Sequence, residues 1–599
     1  MLSTSTKTFQ LVLIKPSHYD DEGYVIQWLR SSIPSNTLAA LYGLVLDCAK
    51  RRILGEDVEL VVEPYDETNT VLPIKKIIQS IQETGNGLVG FVGVQTNQFP
   101  HAMDLADHFL QANIPVVIGG FHVSGCLAML PSLPPEMQQA MDKGITLFAG
   151  EAEEHLGTLL QDAYHHRLKP LYNVMDQLPG LEEAPSPFLP AHIIKNTLRR
   201  LSSFDAGRGC PYQCSFCTII NVQGRKSRWR SADDIETLIR ENLNQGIRRF
   251  FITDDDFARN KDWEAIVDRF IAMRENEHLP ISFSIQVDTL CHKIPRFIEK
   301  CARAGCRNVF IGLENINPDS LIGAKKNQNK IWEYRKMAQM WKNHGCTTVA
   351  GYILGFPGDT PETIARDIEI IKKEIPLDCL EFFCLTPLPG SEDHKVLNQT
   401  EVWMEPDLNS YDLEHVTVNH PVMSNETWQQ VYRTAWEQYY TLEHVETVIR
   451  RAAAKGQNIN KVTSLLTWFY GCTTIEGVHP LEGGIFRRKI RTLRRPTFSR
   501  ESPLWFYPKR FFRILLTGLQ WGLLVWKFQR ISKRVKADPH KKSYTDLALT
   551  PVLEQDEMKT SGSCKSLQAI SPLLNSPLHG NLAPRPLHNV KMSGKHSED

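Results

Sequence analysis

Cys210, Cys214 and Cys217 stand at CxxxCxxC spacing within Gly209-Cys210-Pro211-Tyr212-Gln213-Cys214-Ser215-Phe216-Cys217. Thiolates are soft ligands, and a loop of this length can wrap its sulfurs around one corner of an iron-sulfur cube. One iron is then left without a protein ligand, free to bind a small molecule and pass it an electron. A structural zinc site would want four ligands, usually in paired knuckles, and no fourth Cys or His follows Cys217 closely. Core filling is a poor fit for cysteines flanked by Gly209, Pro211, Gln213 and Ser215. The chemistry expected here is a 4Fe-4S cluster held by Cys210, Cys214 and Cys217.

A loop of this kind needs rigid neighbours. From 199 to 395, six apolar runs alternate with five helical segments, and the cysteine loop directly follows the first run, Ser202 to Ala206. Ser231 and Asp234 predict a capping box for the first helix, and Gly246 its stop. Six strand-helix units predict a (β/α)6 partial TIM barrel with its active site at the carboxyl ends of the strands. Those ends carry Asp254-Asp255-Asp256-Phe257, Gly312-Leu313-Glu314, Gly355-Phe356-Pro357-Gly358-Asp359-Thr360 and Thr386-Pro387-Leu388-Pro389-Gly390-Ser391. Arg225, Lys226, Arg228 and Arg230 follow the cysteine loop and read as a solvated basic run.

Upstream, residues 1–165 alternate doubly apolar strands with helices, the pattern of an α/β Rossmann-like doubly wound sheet. Its strand ends carry His18, Asn97 and Gly119-Gly120-Phe121-His122. Residues 166–198 are proline-rich and read as a linker. Downstream, 396–500 has helical spacing, including Trp428, Tyr432 and Tyr439 as a core stripe. Residues 501–538 form a basic amphipathic segment whose apolar stretch, Ile514 to Trp526, is too short to span a bilayer and suits its interface. From 539 to 599 the composition predicts disorder. The chain has 599 residues, equal numbers of acidic and basic side chains, and 13 cysteines. Zero net charge gives no reason to expect a nucleic-acid partner. An odd, thinly spread set of cysteines points to a reducing cytoplasm, with membrane contact at most peripheral.

The CxxxCxxC loop with Phe216 before its last cysteine resembles the signature of radical S-adenosylmethionine (radical SAM) enzymes. The resemblance implies that the open iron chelates S-adenosyl-L-methionine and that the reduced cluster cleaves it to a 5'-deoxyadenosyl radical. It also implies that Asp255, Glu314 and Gly355 lie around that cofactor. A Rossmann-like domain before such a core resembles the cobalamin-binding domain of one subfamily, with Gly119 and Gly120 beside the corrin's nucleotide tail and Gly150-Glu151 a pair usual there. One departure is clear. The Asp-x-His-x-x-Gly pattern of a histidine-ligated cobalt is missing, since Pro16 and Asp21 flank His18 where Asp and Gly would stand.

Together these features imply a cobalamin-dependent radical SAM enzyme that methylates an unactivated carbon of a small-molecule or lipid-like substrate. Flavodoxin or ferredoxin would be its electron donor. Oxidative or cyclising chemistry of the anaerobic cyclase kind shares the architecture and stays open at this stage, as does a non-catalytic iron-sulfur sensor. Methylthiolation of transfer RNA is disfavoured, because the N-terminal domain offers only Cys48 and Cys126 for a second cluster.

Overall fold

The structure, a computed structural model, describes residues 7–552. Chain order gives β1 (Lys7–Lys15), β2 (Gln27–Ser31), β3 (Val58–Asp66), β4 (Gly87–Phe91), β5 (Val116–Gly119), β6 (Thr146–Ala149) and β7 (Leu171–Asn173). All but β2 form one sheet in the order β3-β1-β4-β5-β6-β7, parallel throughout. The helices α1 (Asn36–Lys50), α2 (Ile74–Thr84), α3 (Phe99–Leu110), α4 (Phe121–Met129), α5 (Pro135–Asp142) and α6 (Leu156–Tyr164) connect these strands. Strands such as Gly87–Phe91, buried at every residue, are apolar on both faces because helices cover both sides. β7 lies within the stretch expected to be linker; it extends the sheet by pairing with β6.

The second sheet starts with β8 (Leu201–Phe204). A small ribbon of β9 (Gly207–Arg208) and β10 (Arg228–Trp229) flanks the cysteine loop. Then come β11 (Arg249–Ile252), β12 (Ser282–Val287), β13 (Cys306–Glu314), β14 (Thr347–Leu354) and β15 (Cys379–Cys384). The strand order β8-β11-β12-β13-β14-β15 is sequential, which is the open (β/α)6 barrel that the alternation predicts. The first barrel helix begins at the Ser231–Asp234 capping box, and Gly246 follows its end at φ +80°.

The region expected to be a purely helical C-terminal domain contains a strand. After helices Asn425–Tyr439, Leu442–Ala454 and Ile459–Gly471, the chain returns to the N-terminus as β16 (Gly484–Arg488), antiparallel to β2. The basic run around it is tied down by ion pairs: Arg487 and Lys489 bind Asp20, and Lys489 also binds Glu22. Pro503–Ala537 then forms one long helix. Its C-terminal part buries Leu524, Phe528, Ile531 and Val535 against the helices Leu442–Ala454 and Ile459–Gly471. No helix among the described residues is long and apolar enough to cross a membrane.

Residues 539–552, expected to be disordered, form a strap instead. Arg451 pairs with Asp546, Gln339 donates to the Ala548 carbonyl, and Ala548 and Leu549 are buried. The rest of the expected disordered tail, 553–599, lies outside the described residues.

Closure of the β2–β16 pair depends on a missing side chain. A Cβ on Gly484 would stand 2.1 Å from Trp28 Cγ, and Trp28 is fully buried. Gly484→Ala should therefore destabilise the protein by about 1–3 kcal/mol, the usual range for overpacking, read as a lower midpoint in urea unfolding.

Candidate active site

The cysteine loop is pinned to the carboxyl end of almost every barrel strand. Its stem, Gly209, holds φ +91° because a Cβ there would meet the Lys226 carbonyl at 2.4 Å. The Gly209 amide donates to Asp255 after β11 (2.9 Å), and the Tyr212 hydroxyl donates to Asp288 after β12 (2.5 Å). Further along, the Ser215 amide donates to the Ala324 carbonyl after β13 (3.0 Å), and the Ser215 carbonyl accepts from the Asp393 amide beyond β15 (3.1 Å). Every cysteine among the described residues is a free thiol. Burial pushes the Cys210 and Cys217 thiols up to about 12, so without a metal they keep their protons. Loading a metal would displace those protons, as coordination does for thiols generally.

One cation stands beside the sulfurs. Lys326 is buried, pairs with Glu314 and lies over the Phe216 ring at 5.8 Å. Burial works against its ammonium, yet Glu314 and the nearby Cys214 and Cys217 sulfurs hold its pKa above the ordinary value. Glu314 reaches this position through a register shift between β13 and β14 and a left-handed backbone at φ +63°. Bulges of this kind re-aim side chains at functional strand ends. Phe216 packs with Phe356, Phe383, Ile353 and Leu385 into an apolar wall on the same side. Donors at the sulfur and a buried cation close by suit an anionic iron-sulfur group: Gln328 Nε2 approaches Cys214 Sγ at 3.6 Å.

The first sheet holds a cavity of about 180 Å3, closed on the barrel side by Arg208, Val222 and Gln223. It opens at the carboxyl ends of β1, β4 and β5, where doubly wound sheets bind ligands. Gly93, Gly119 and Gly120 line it at those strand ends, and Gly90, Leu11, Leu13, Leu41 and Leu44 line the rest. Gly120 has φ +148°, and a Cβ on it would strike the Val94 amide nitrogen at 2.2 Å, so the backbone approach there requires glycine. A largely apolar cavity beside a glycine turn suits a nucleotide tail. His18, in contrast, turns its Nε2 to Glu482 at 2.7 Å and is not free to ligate a metal.

Buried charges close the seam between cavity and loop. Arg208, next to Gly209, donates to Glu151 (2.6 Å), Glu153 (2.7 Å) and Asp205 (3.1 Å). Arg228 also binds Glu151, and fully buried Arg230 donates to the Asp205 backbone. Burial would raise the Asp205 and Glu153 carboxyls, but Arg208 holds both below their ordinary values. The basic run after the loop is therefore solvated only at Arg225 and Lys226; its other two arginines are structural ties.

The Radical SAM superfamily model matches residues 206–371. The chain carries a radical SAM domain. Among curated relatives, bacteriochlorophyllide d C-8(2)-methyltransferase of Chlorobaculum tepidum is 25% identical over 402 residues, 63% of this chain and 84% of that protein. Hopanoid C-2 methylase of Rhodopseudomonas palustris is 26% identical over 285 residues, 46% of this chain and 52% of that protein. The cobalamin-dependent S-adenosylmethionine radical enzyme OxsB, solved with aqua-cobalamin bound, shares the fold: TM-score 0.51 at 15% identity, over 91% of this chain and 83% of that one.

Within the radical SAM domain, the residues singled out from sequence fall into three groups. Cys214, Cys217, Phe216 and Glu314 gather around Lys326, with Cys210 on the same loop beside Cys217. Asp255 holds the loop stem, with burial pushing its carboxyl up to about 7. Gly355 has a packing duty of its own: at φ +99°, its Cβ would overlap the Trp428 indole at 1.9 Å. Sequence reading passed over Lys326, Arg208, Glu153 and Asp288. Only Arg208 carried a local signal, being the residue next to the loop glycine.

Removing one partner of a buried pair leaves an uncompensated charge. Glu151→Ala should cost about 3–5 kcal/mol in chemical unfolding, and adding Arg228→Met, which removes the guanidinium whose carboxylate partner is Glu151, should recover part of that loss.

Proposed function

We propose that this protein is a cobalamin-dependent radical SAM C-methyltransferase acting on a small-molecule or lipid-like substrate. The observation that carries the reading is the pairing of a three-cysteine loop with a glycine-mouthed cavity across a locked seam. When bound, a 4Fe-4S cluster with S-adenosylmethionine supplies a radical, and cobalamin supplies a methyl group. The chain's own work is to hold and shield. Cys210, Cys214 and Cys217 would hold the cluster, and Lys326 would offset its negative charge. Phe216, Phe356 and Phe383 would exclude water from its open side. Asp255 keeps the loop stem in place, and Glu314 fixes the Lys326 ammonium next to the sulfurs. Gly119 and Gly120 would let the corrin's tail enter between α1 and α6. Flavodoxin or ferredoxin would supply the electron.

The relatives named above act on a bacteriochlorophyllide and a hopanoid, which supports an apolar substrate. A second cavity, about 500 Å3, touches His18 and Asp20 after β1, Glu414 beyond β15, and Arg510, Arg513 and Thr517 of the long helix. It lies between that helix and the loops that follow β1 and β15. The helix itself supports peripheral contact with an anionic membrane. Its outer face exposes Trp505, Phe512, Leu515, Leu516, Leu519, Leu523 and Trp526, then continues with exposed Lys527, Arg530, Lys533 and Arg534. An apolar face continued by cations is the pattern of a helix lying in an anionic interface. Such contact is compatible with a cytoplasmic enzyme.

Anaerobically reconstituted protein given dithionite and S-adenosylmethionine should form 5'-deoxyadenosine, and Cys214→Ala should form none above background. Equal traces from both would remove the radical reading. Flotation with phosphatidylglycerol vesicles should fall at least about tenfold, worth roughly 1.4 kcal/mol, in Trp505→Ser/Phe512→Ser/Leu516→Ser. These side chains are exposed, so the fold is kept; unchanged flotation would refute membrane contact.

A further inference from the structure

We propose that His122, Cys126 and Glu136 form a binding site for a divalent transition-metal ion of the zinc type, distinct from the cysteine loop. A ligand-type atom from each of the first three lies within 4.8 Å of the other two. His122 and Cys126 are four residues apart on α4 and so share one helix face, while Glu136 enters from the first turn of α5. The set combines imidazole, thiol and carboxylate, the donors zinc takes in tetrahedral sites.

An unused nitrogen makes this more than a cluster. His122 is 0% exposed, and its Nε2 has no hydrogen-bond partner; Glu136 Oε1 stands at 3.6 Å, beyond hydrogen-bond reach. The other ring nitrogen, Nδ1, is 3.3 Å from Thr96 Oγ1. Donation of Nδ1–H to that hydroxyl leaves the Nε2 lone pair aimed at the cluster, the orienting device common to metal-bound histidines. A buried imidazole nitrogen without a partner is costly, and an ion would satisfy it.

The place of the site suggests its use. α4 turns Phe121 and Ser124 to the cavity of the first sheet, whereas His122 and Cys126 do not line it. Gly125 of the same helix abuts the barrel: a Cβ there would be 2.2 Å from the Pro389 carbonyl, just before the Ser391-capped helix that carries His394. An ion held by α4 and α5 would brace the helix that forms the cavity wall and abuts the barrel. On binding, the Cys126 thiol and the Glu136 carboxyl lose whatever protons they hold to solvent, and no electron is transferred.

The test uses full-length, cluster-loaded protein. Metal analysis should find stoichiometric zinc alongside iron, and His122→Ala/Cys126→Ser should lose the zinc and keep the iron. Zinc equal in both proteins, or absent from the wild type, would overturn the proposal. Should the double variant fold poorly, cobalt(II) added to chelator-treated, cluster-loaded wild type decides. A thiolate-to-cobalt charge-transfer band that is absent in Cys126→Ser is expected, and no such band, or one equally strong in that variant, would overturn it.

Discussion

Arg208 is buried between Glu151, Glu153 and Asp205, and the placement of the rest follows from it. Two of these carboxylates come from the first sheet's domain, while Arg208 and Asp205 come from the barrel. A guanidinium withdrawn from water costs several kcal/mol unless its hydrogen bonds are met, and here they are met only when the two sheets dock in this one way. Arg208 immediately precedes Gly209, so the electrostatic lock and the stem of the cysteine loop are the same piece of chain. The relation of the thiols to the opposing cavity is thus fixed by charge pairing together with the close approach of Gly125 to Pro389.

Both sheets present their carboxyl ends to this seam, as parallel strands crossed over by helices must. Glycines occur where backbone has to come close to something. Gly120 folds against Val94 at the cavity mouth, Gly209 against Lys226 at the loop stem, and Gly355 against Trp428 below the apolar wall. The C-terminal region closes the structure by returning β16 to β2 and by leaning Trp428, Trp436 and Tyr439 on the barrel. Its last helix packs with one part and leaves the other exposed.

Local features were readable from the sequence because their causes are local. The CxxxCxxC spacing, the alternation of strand and helix, and the Ser231–Asp234 cap each lie within a few residues. What could not be read depends on partners far along the chain. Arg228 and Arg230 look like a solvated run until Glu151 and Asp205 are brought to them. Lys326 sits in a lysine- and asparagine-rich stretch with no mark of its closeness to Cys214. Gly355 reads as a turn, and only the fold reveals the indole that needs its bare Cα. The 539–552 strap has a disordered composition, yet Arg451, 95 residues earlier than Asp546, orders it.

The central claim is that the first-sheet cavity takes the corrin and the cysteine loop takes the cluster, each independently of the other's loading. Protein purified from cells grown with hydroxocobalamin, as wild type and as Leu41→Trp, tests this directly when bound corrin and 5'-deoxyadenosine formation are measured together. Leu41 lines the cavity, and an indole there would fill it. Wild type should carry corrin with a spectrum lacking histidine ligation, and Leu41→Trp should lose the corrin but still cleave S-adenosylmethionine. Corrin retained by Leu41→Trp, or absent from the wild type, would contradict the assignment.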